Sequence, residues 1–234
     1  LVPCTSQVLA MLRTSFVALC LFAGVHAQPV QPVQPVQPRA ASSSLVPVDN
    51  CSALPNYNNA TNIAGPWKIR VDGCSNGSSQ GCHVEGFAAG CDVTRSADEK
   101  GIEKGAITIV DANDANTLLR CNAVLDTFEA YVPSGAGAPD WHAIGIAQDT
   151  DTAQMEWGFR EHAKPVQAYR QYVDGTPTGG ILLGSEGRTT WAVLDSGSGL
   201  SNVNHQPFWF LRLLNSETEK WADEMETRIR IDGS

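Results

Sequence analysis

Phe208-Trp209-Phe210-Leu211-Arg212-Leu213-Leu214 is the most apolar run in the C-terminal half of the chain. It reads as a central, doubly buried β-strand, because a strand covered on both faces loses the polar alternation of a one-sided one. Working outward, the surrounding segments keep that alternation. Trp67-Lys68-Ile69-Arg70-Val71 alternates apolar with charged residues, and Phe128-Glu129-Ala130-Tyr131-Val132 does the same. A period of two places alternate side chains on opposite faces of a half-buried strand. Ala106-Ile107-Thr108-Ile109-Val110 is β-branched and is stopped by Asp111-Ala112-Asn113-Asp114. Trp141–Ala147, Met155–Phe159, Val166–Val173, Ile181–Leu183 and Thr189–Leu194 continue the pattern. Asp174-Gly175-Thr176-Pro177-Thr178-Gly179-Gly180 is a strong turn between two of them. Short strands at regular spacing with Gly, Pro and Asp between them point to a mainly β fold, an antiparallel β-sandwich or β-barrel.

One helix is expected near the end. Ser216-Glu217-Thr218-Glu219 fits a capping box, and Trp221, Met225 and Ile229 recur every fourth residue. That gives one C-terminal amphipathic helix against the sheet, with Arg228-Ile229-Arg230-Ile231 able to alternate as a final strand instead.

Gly65-Pro66-Trp67 before a strand is similar to the Gly-x-Trp that opens the first lipocalin strand, and an apolar strand followed by a helix is similar to the lipocalin order. The resemblance covers three residues and that order of elements. It implies a calycin-like barrel, with a jelly-roll-like arrangement as the other choice, and it assigns no ligand residues.

The N-terminal part has a different character. Met11–Ala27 has a basic Arg13, an apolar stretch Ser15–Gly24 and small residues at Val25-His26-Ala27, the three-part pattern of a secretory signal peptide with Gln28 as the new terminus. Residues 1–10 read as upstream, non-native sequence. Residues 28–48 carry Pro-Val-Gln repeats and a Ser-rich run, which favour an extended, solvated spacer. Residues 49–234 remain for a single β-rich globular domain.

The formal charge of −9 and the absence of Lys/Arg runs argue against nucleic acid and anionic membranes, which need basic patches. No downstream stretch is apolar enough for a membrane span. Five cysteines follow the leader: Cys51, Cys74, Cys82, Cys91 and Cys121. In the secreted, extracellular setting implied by the leader they are expected to form disulfides, pairing unknown, with one left over. Cys74, Cys82, His83 and Cys91 lack the tight Cys-x2–4-Cys spacing of structural zinc, so no metal is assigned. Asn59-Ala60-Thr61 and Asn76-Gly77-Ser78 are sequons, making Asn59 and Asn76 candidate glycosylation sites.

No nucleophile elbow, phosphate loop or zinc-protease motif occurs, and no cofactor is expected. Glu129, Glu156 and Glu161 are the weak catalytic candidates, because two carboxylates flanking a sugar linkage can cleave it. Asp149 and Asp151 offer further acids. The Asp111–Asp114 and Asp149–Asp151 clusters fit turns better than calcium loops. Trp141, Trp157, Tyr169, Tyr172 and Trp191 are the ligand-binding candidates, since aromatic faces beside amides and carboxylates suit sugar rings or apolar molecules. The leading expectation is a non-catalytic binding protein for a carbohydrate or small apolar ligand. The alternatives are a carbohydrate-active hydrolase or lyase and a structural or host-interaction matrix protein.

Overall fold

The computed structural model describes residues 41–75, 84, 86–92, 105–132, 138–148, 153–158, 163–196, 207–214 and 220–232. In chain order the strands are β1 (Ser43–Pro47), β2 (Ile63–Trp67), β3 (Ile69–Ser75), β4 (Ala88–Asp92) and β5 (Gly105–Val110). There follow β6 (Leu118–Asn122), β7 (Thr127–Val132), β8 (Asp140–Ile146), β9 (Met155–Trp157) and β10 (Lys164–Pro165). The last are β11 (Gln167–Val173), β12 (Thr176–Gly184), β13 (Trp191–Asp195), β14 (Trp209–Leu213) and β15 (Met225–Ile231). A 3-10 turn spans Cys51–Ala53.

Six of these strands close into an antiparallel barrel in the order β3-β4-β5-β14-β13-β15, with β15 returning to β3. Closure follows from two strands whose edges are shared. One edge of β15 serves β13 through Met225–Thr227 and β12 through Ile229–Ile231, while β3 lines the other. β5 likewise offers one edge to β4 and divides the other between β14 and β9. Outer strands run on from these forks: β12-β11-β1 from β15, and β9-β8-β7-β6-β2 from β5. Among the described residues the barrel has six staves in non-sequential order, so the expected closed antiparallel barrel is present.

The interior is filled by side chains. Ile69, Val71, Ile107, Ile109, Trp191, Val193, Leu211, Met225, Ile229 and Ile231 are all buried in one continuous core with Trp67, Trp157 and Phe128. Each such residue removes ~1.5–3 kcal/mol worth of apolar surface from water. Phe208–Leu214 is indeed an interior strand, paired on both sides, but its second face at Arg212 is closed by an ion pair rather than by apolar packing. Arg212 Nε donates to Glu224 Oε1, and Nη2 donates to Oε2 at 2.6 Å. The Trp221 ring lies 4.3 Å over the guanidinium, and the Trp221 backbone N–H donates to Glu224 at 2.8 Å.

The expected C-terminal helix is overturned. Met225–Ile231 is strand β15, with Met225, Thr227, Ile229 and Ile231 buried and Glu226 and Arg228 exposed. A spacing of four satisfies a helix turn, but it is also twice the strand period, so Met225 and Ile229 share a face either way. The unbroken alternation through Arg230-Ile231 and the two open strand edges on either side decide the matter. Residues 215–219, which carry the capping-box reading, lie outside the described residues.

The broad turn expected at Asp174–Gly180 contracts to two residues. Asp174 (φ 50°) and Gly175 (φ 77°) join β11 to β12 with Val173 opposite Thr176, the positive-φ pair that matches strand twist in a tight hairpin. The sheet also reaches further towards the N-terminus than the spacer reading: Ser43–Pro47 pairs along β11 from Val173 to Tyr169. The signal stretch and the Pro-Val-Gln repeats lie outside the described residues.

Candidate functional site

The β6–β7 hairpin builds the site. Asn122 faces Thr127 across the turn, and its Oδ1 accepts from the N–H groups of Val124 and Leu125 at 3.1 and 3.3 Å. Asp126 closes the turn at φ 49°, a conformation Asp tolerates. Leu119, Cys121, Phe128, Ala130 and Val132 point into the core. Their alternates, Arg120 and Asn122 on β6 and Glu129 and Tyr131 on β7, must therefore share the outer face. Pairing of Glu129 with Ala143 and of Tyr131 with Trp141 extends this face onto β8.

Five side chains interlock there. Arg120 Nε donates to Glu129 Oε2 at 2.6 Å, and Asn122 Nδ2 donates to Oε1 at 3.3 Å. The Arg120 guanidinium lies 4.2 Å from the Trp141 ring centroid. Tyr131 meets the same indole at 5.2 Å, tilted by 48°. The Glu129 side chain is only 6% exposed and the Arg120 side chain 24%. Glu129 is thus a covered brace that fixes a cation against an indole, and the solvent-facing groups are Tyr131, Trp141 and the rim of Arg120.

A cleft of about 310 Å³ adjoins this patch, lined by Leu125, Asp126, Thr127, Ala143, Ile144, Gly145, Ala163, Lys164 and Pro165. Its origin is a third shared edge: β8 pairs with β7 through residues 140–143 and with β10 at Gly145 and Ile146. The cleft opens where the two partners diverge. Gly145 is required there, because a Cβ at that position would stand 2.5 Å from Ala163 Cβ and 3.2 Å from Lys164 O.

Of the sequence candidates, Trp141 and Glu129 come together on this face. Glu156 lies on the same side, opposite Gly145. The pairings separate the Cα atoms of Glu129 and Glu156 by about 12 Å, at ~4.8 Å per strand and ~3.4 Å per residue. Glu129 turns towards β6, away from Glu156, whereas glycosidase carboxyl groups stand about 5–9.5 Å apart. Glu161, Asp149 and Asp151 lie outside the described residues.

Trp157 and Trp191 are fully buried in the core, away from this face. The Trp191 Nε1–H donates to Leu183 O at 2.8 Å. Tyr169 is also withdrawn from solvent; its hydroxyl donates to Gln167 Oε1 at 2.6 Å and accepts from the Gly187 N–H at 2.7 Å, holding the turn after β12. Tyr172 is half-buried on β11, opposite Ser44 and Pro177, in a different part of the sheet. His142 is half-buried beside Trp157 at 5.1 Å between ring centroids. Asp111 serves its own turn, its Oδ1 accepting from the Asn113 N–H and Nδ2, both at 2.9 Å.

Cys51 and Cys121 form a disulfide that pins the 3-10 turn to β6, and Cys74 is also disulfide-bonded. Cys82 and the side chain of Cys91 lie outside the described residues. Asn59 stands in an exposed turn in which the Ala60 N–H donates to Asn58 Oδ1; Asn76 lies outside the described residues. Among the described residues no helix is long and apolar enough to cross a membrane.

Sequence reasoning missed Arg120 and Asn122. Leu118–Asn122 has one charge and one thiol among leucines, and its alternation becomes visible only once Asn122 is read as the end of a hairpin facing Thr127. No protein-family model matches the chain, and no curated protein matches it either.

Proposed function

We propose that this chain is a secreted, non-catalytic binding protein that takes a carbohydrate on the outer face of β6, β7 and β8. The observation that carries the reading is the Tyr131–Trp141 aromatic pair, held in place by Arg120 and Glu129 beside the cleft. Aromatic faces bind the apolar side of a sugar ring, and the edge donors and acceptors around them set its orientation. Two further observations support it. The barrel-facing side chains fill the interior, which favours a surface ligand over an apolar molecule carried inside. Glu129 is engaged with Arg120 and is far from Glu156, which favours binding over cleavage.

Secretion is supported by the Met11–Ala27 pattern and by the Cys51–Cys121 disulfide, which an oxidising compartment allows to persist. The exposed turn at Asn59 supports glycosylation there. Expression in secreting eukaryotic cells tests both points. Product in the medium starting at Gln28, with a mass that falls on glycosidase treatment, is the expected result.

Binding is tested by a glycan array followed by titration calorimetry. Trp141→Ala is expected to weaken the bound glycan about tenfold or more, as loss of an anchoring aromatic does. Silence of the native protein across the array overturns the reading.

A further inference from the structure

We infer that the ligand is a neutral glycan, presented as a short segment, and that anionic sugars are excluded by the charge arrangement of the cleft; this rests on the carbohydrate reading above. Among the described residues, the cations at this face are paired. Arg120 is bound to Glu129 at 2.6 Å, and Lys164 Nζ lies 2.7 Å from Glu186 Oε2. Asp126 lines the cleft as an exposed acid, and among the described residues no cation is paired with it. A uronate or sulfate entering here would meet Asp126, and among the described residues the one cation lining the cleft, Lys164, is held by Glu186. Like charges at this range repel, and the chain's net charge of −9 adds to the repulsion.

The walls suit a neutral sugar instead. Leu125, Ala143 and Pro165 offer apolar surface to C–H faces, and the Thr127 hydroxyl, which donates to Phe128 O at 3.2 Å, can accept from a sugar hydroxyl. A volume near 310 Å³ sits at the small end of ligand sites, which fits a short run of a chain rather than a long one.

The test titrates the mature, disulfide-bonded protein with neutral oligosaccharides (β-gluco-, xylo-, manno- and chito-series) and with polygalacturonate and sulfated oligosaccharides. Neutral binding that is at least about tenfold tighter than anionic binding, and unchanged by added salt, is the expected result. Anionic glycans bound as tightly as neutral ones overturn this inference while leaving the carbohydrate reading intact. No binding in either series overturns both. Asp126→Asn, a substitution the positive φ tolerates, is expected to raise the ratio of anionic to neutral affinity about threefold. Unchanged exclusion in that variant removes Asp126 from the explanation.

Discussion

Glu129 and Glu224 are both buried carboxylates answered by an arginine, yet their surroundings give them different weights. The Arg212–Glu224 pair is 5% and 1% exposed at its side chains, so removing one partner strands the other away from water. Glu224→Ala is expected to lower unfolding free energy by about 3–5 kcal/mol in a urea titration. Arg120 is a quarter exposed, so water can take over part of what Glu129 supplies. Glu129→Gln is expected to cost only about 1 kcal/mol in the same titration. Its larger effect is expected on the proposed ligand: without the brace the guanidinium no longer holds Trp141, and glycan affinity should drop while the fold survives. A variant that unfolds but still binds with native affinity below its midpoint contradicts that role.

At the scale of elements, the forks position everything of interest. The β7/β10 fork depends on Gly145, and Gly145→Ala is expected to push residues 163–165 outward, costing about 1–3 kcal/mol and weakening glycan binding together with stability. β15 is paired on both edges, so its amides from Met225 to Ile231 are expected to exchange with solvent as slowly as the core strands; loop-like exchange there by mass spectrometry refutes its place in the barrel. The strands that could be read from the sequence were those with strong alternation and β-branched residues, such as Ala106–Val110 and Phe128–Val132. β4 left no such mark. Its Ala88-Ala89-Gly90 is small because the neighbours leave no room: a Cβ on Gly90 would lie 2.7 Å from Val110 Cγ1. That crowding comes from β5 and is invisible in β4's own composition. The proposed site was legible only through Trp141 and Glu129. Alternation shows which residues share a face but not which face is covered, so Trp157, Trp191 and Tyr169 looked equivalent to Trp141 until the outer strands were in place.

For the whole molecule, the Cys51–Cys121 bond links residues 70 apart and joins the segment before β2 to the hairpin that carries the site. Replacing both with alanine is expected to lower stability by about 2–4 kcal/mol, read as a shifted denaturation midpoint in non-reducing buffer. The barrel's own closure is more distant still: Thr227 Oγ1 donates to Asp72 O at 3.3 Å across 155 residues. β3 is therefore made early and its partner late. While the chain emerges from a ribosome, the unfinished barrel keeps two unsatisfied edges until residues 225–231 appear. Contacts this non-local are associated with folding in ~milliseconds to seconds rather than microseconds, and throughout that interval the open edge of β3 is a template for the wrong strand. The burden of producing this protein thus falls on the moment when residues 225–231 leave the ribosome and must find β3 before another chain does.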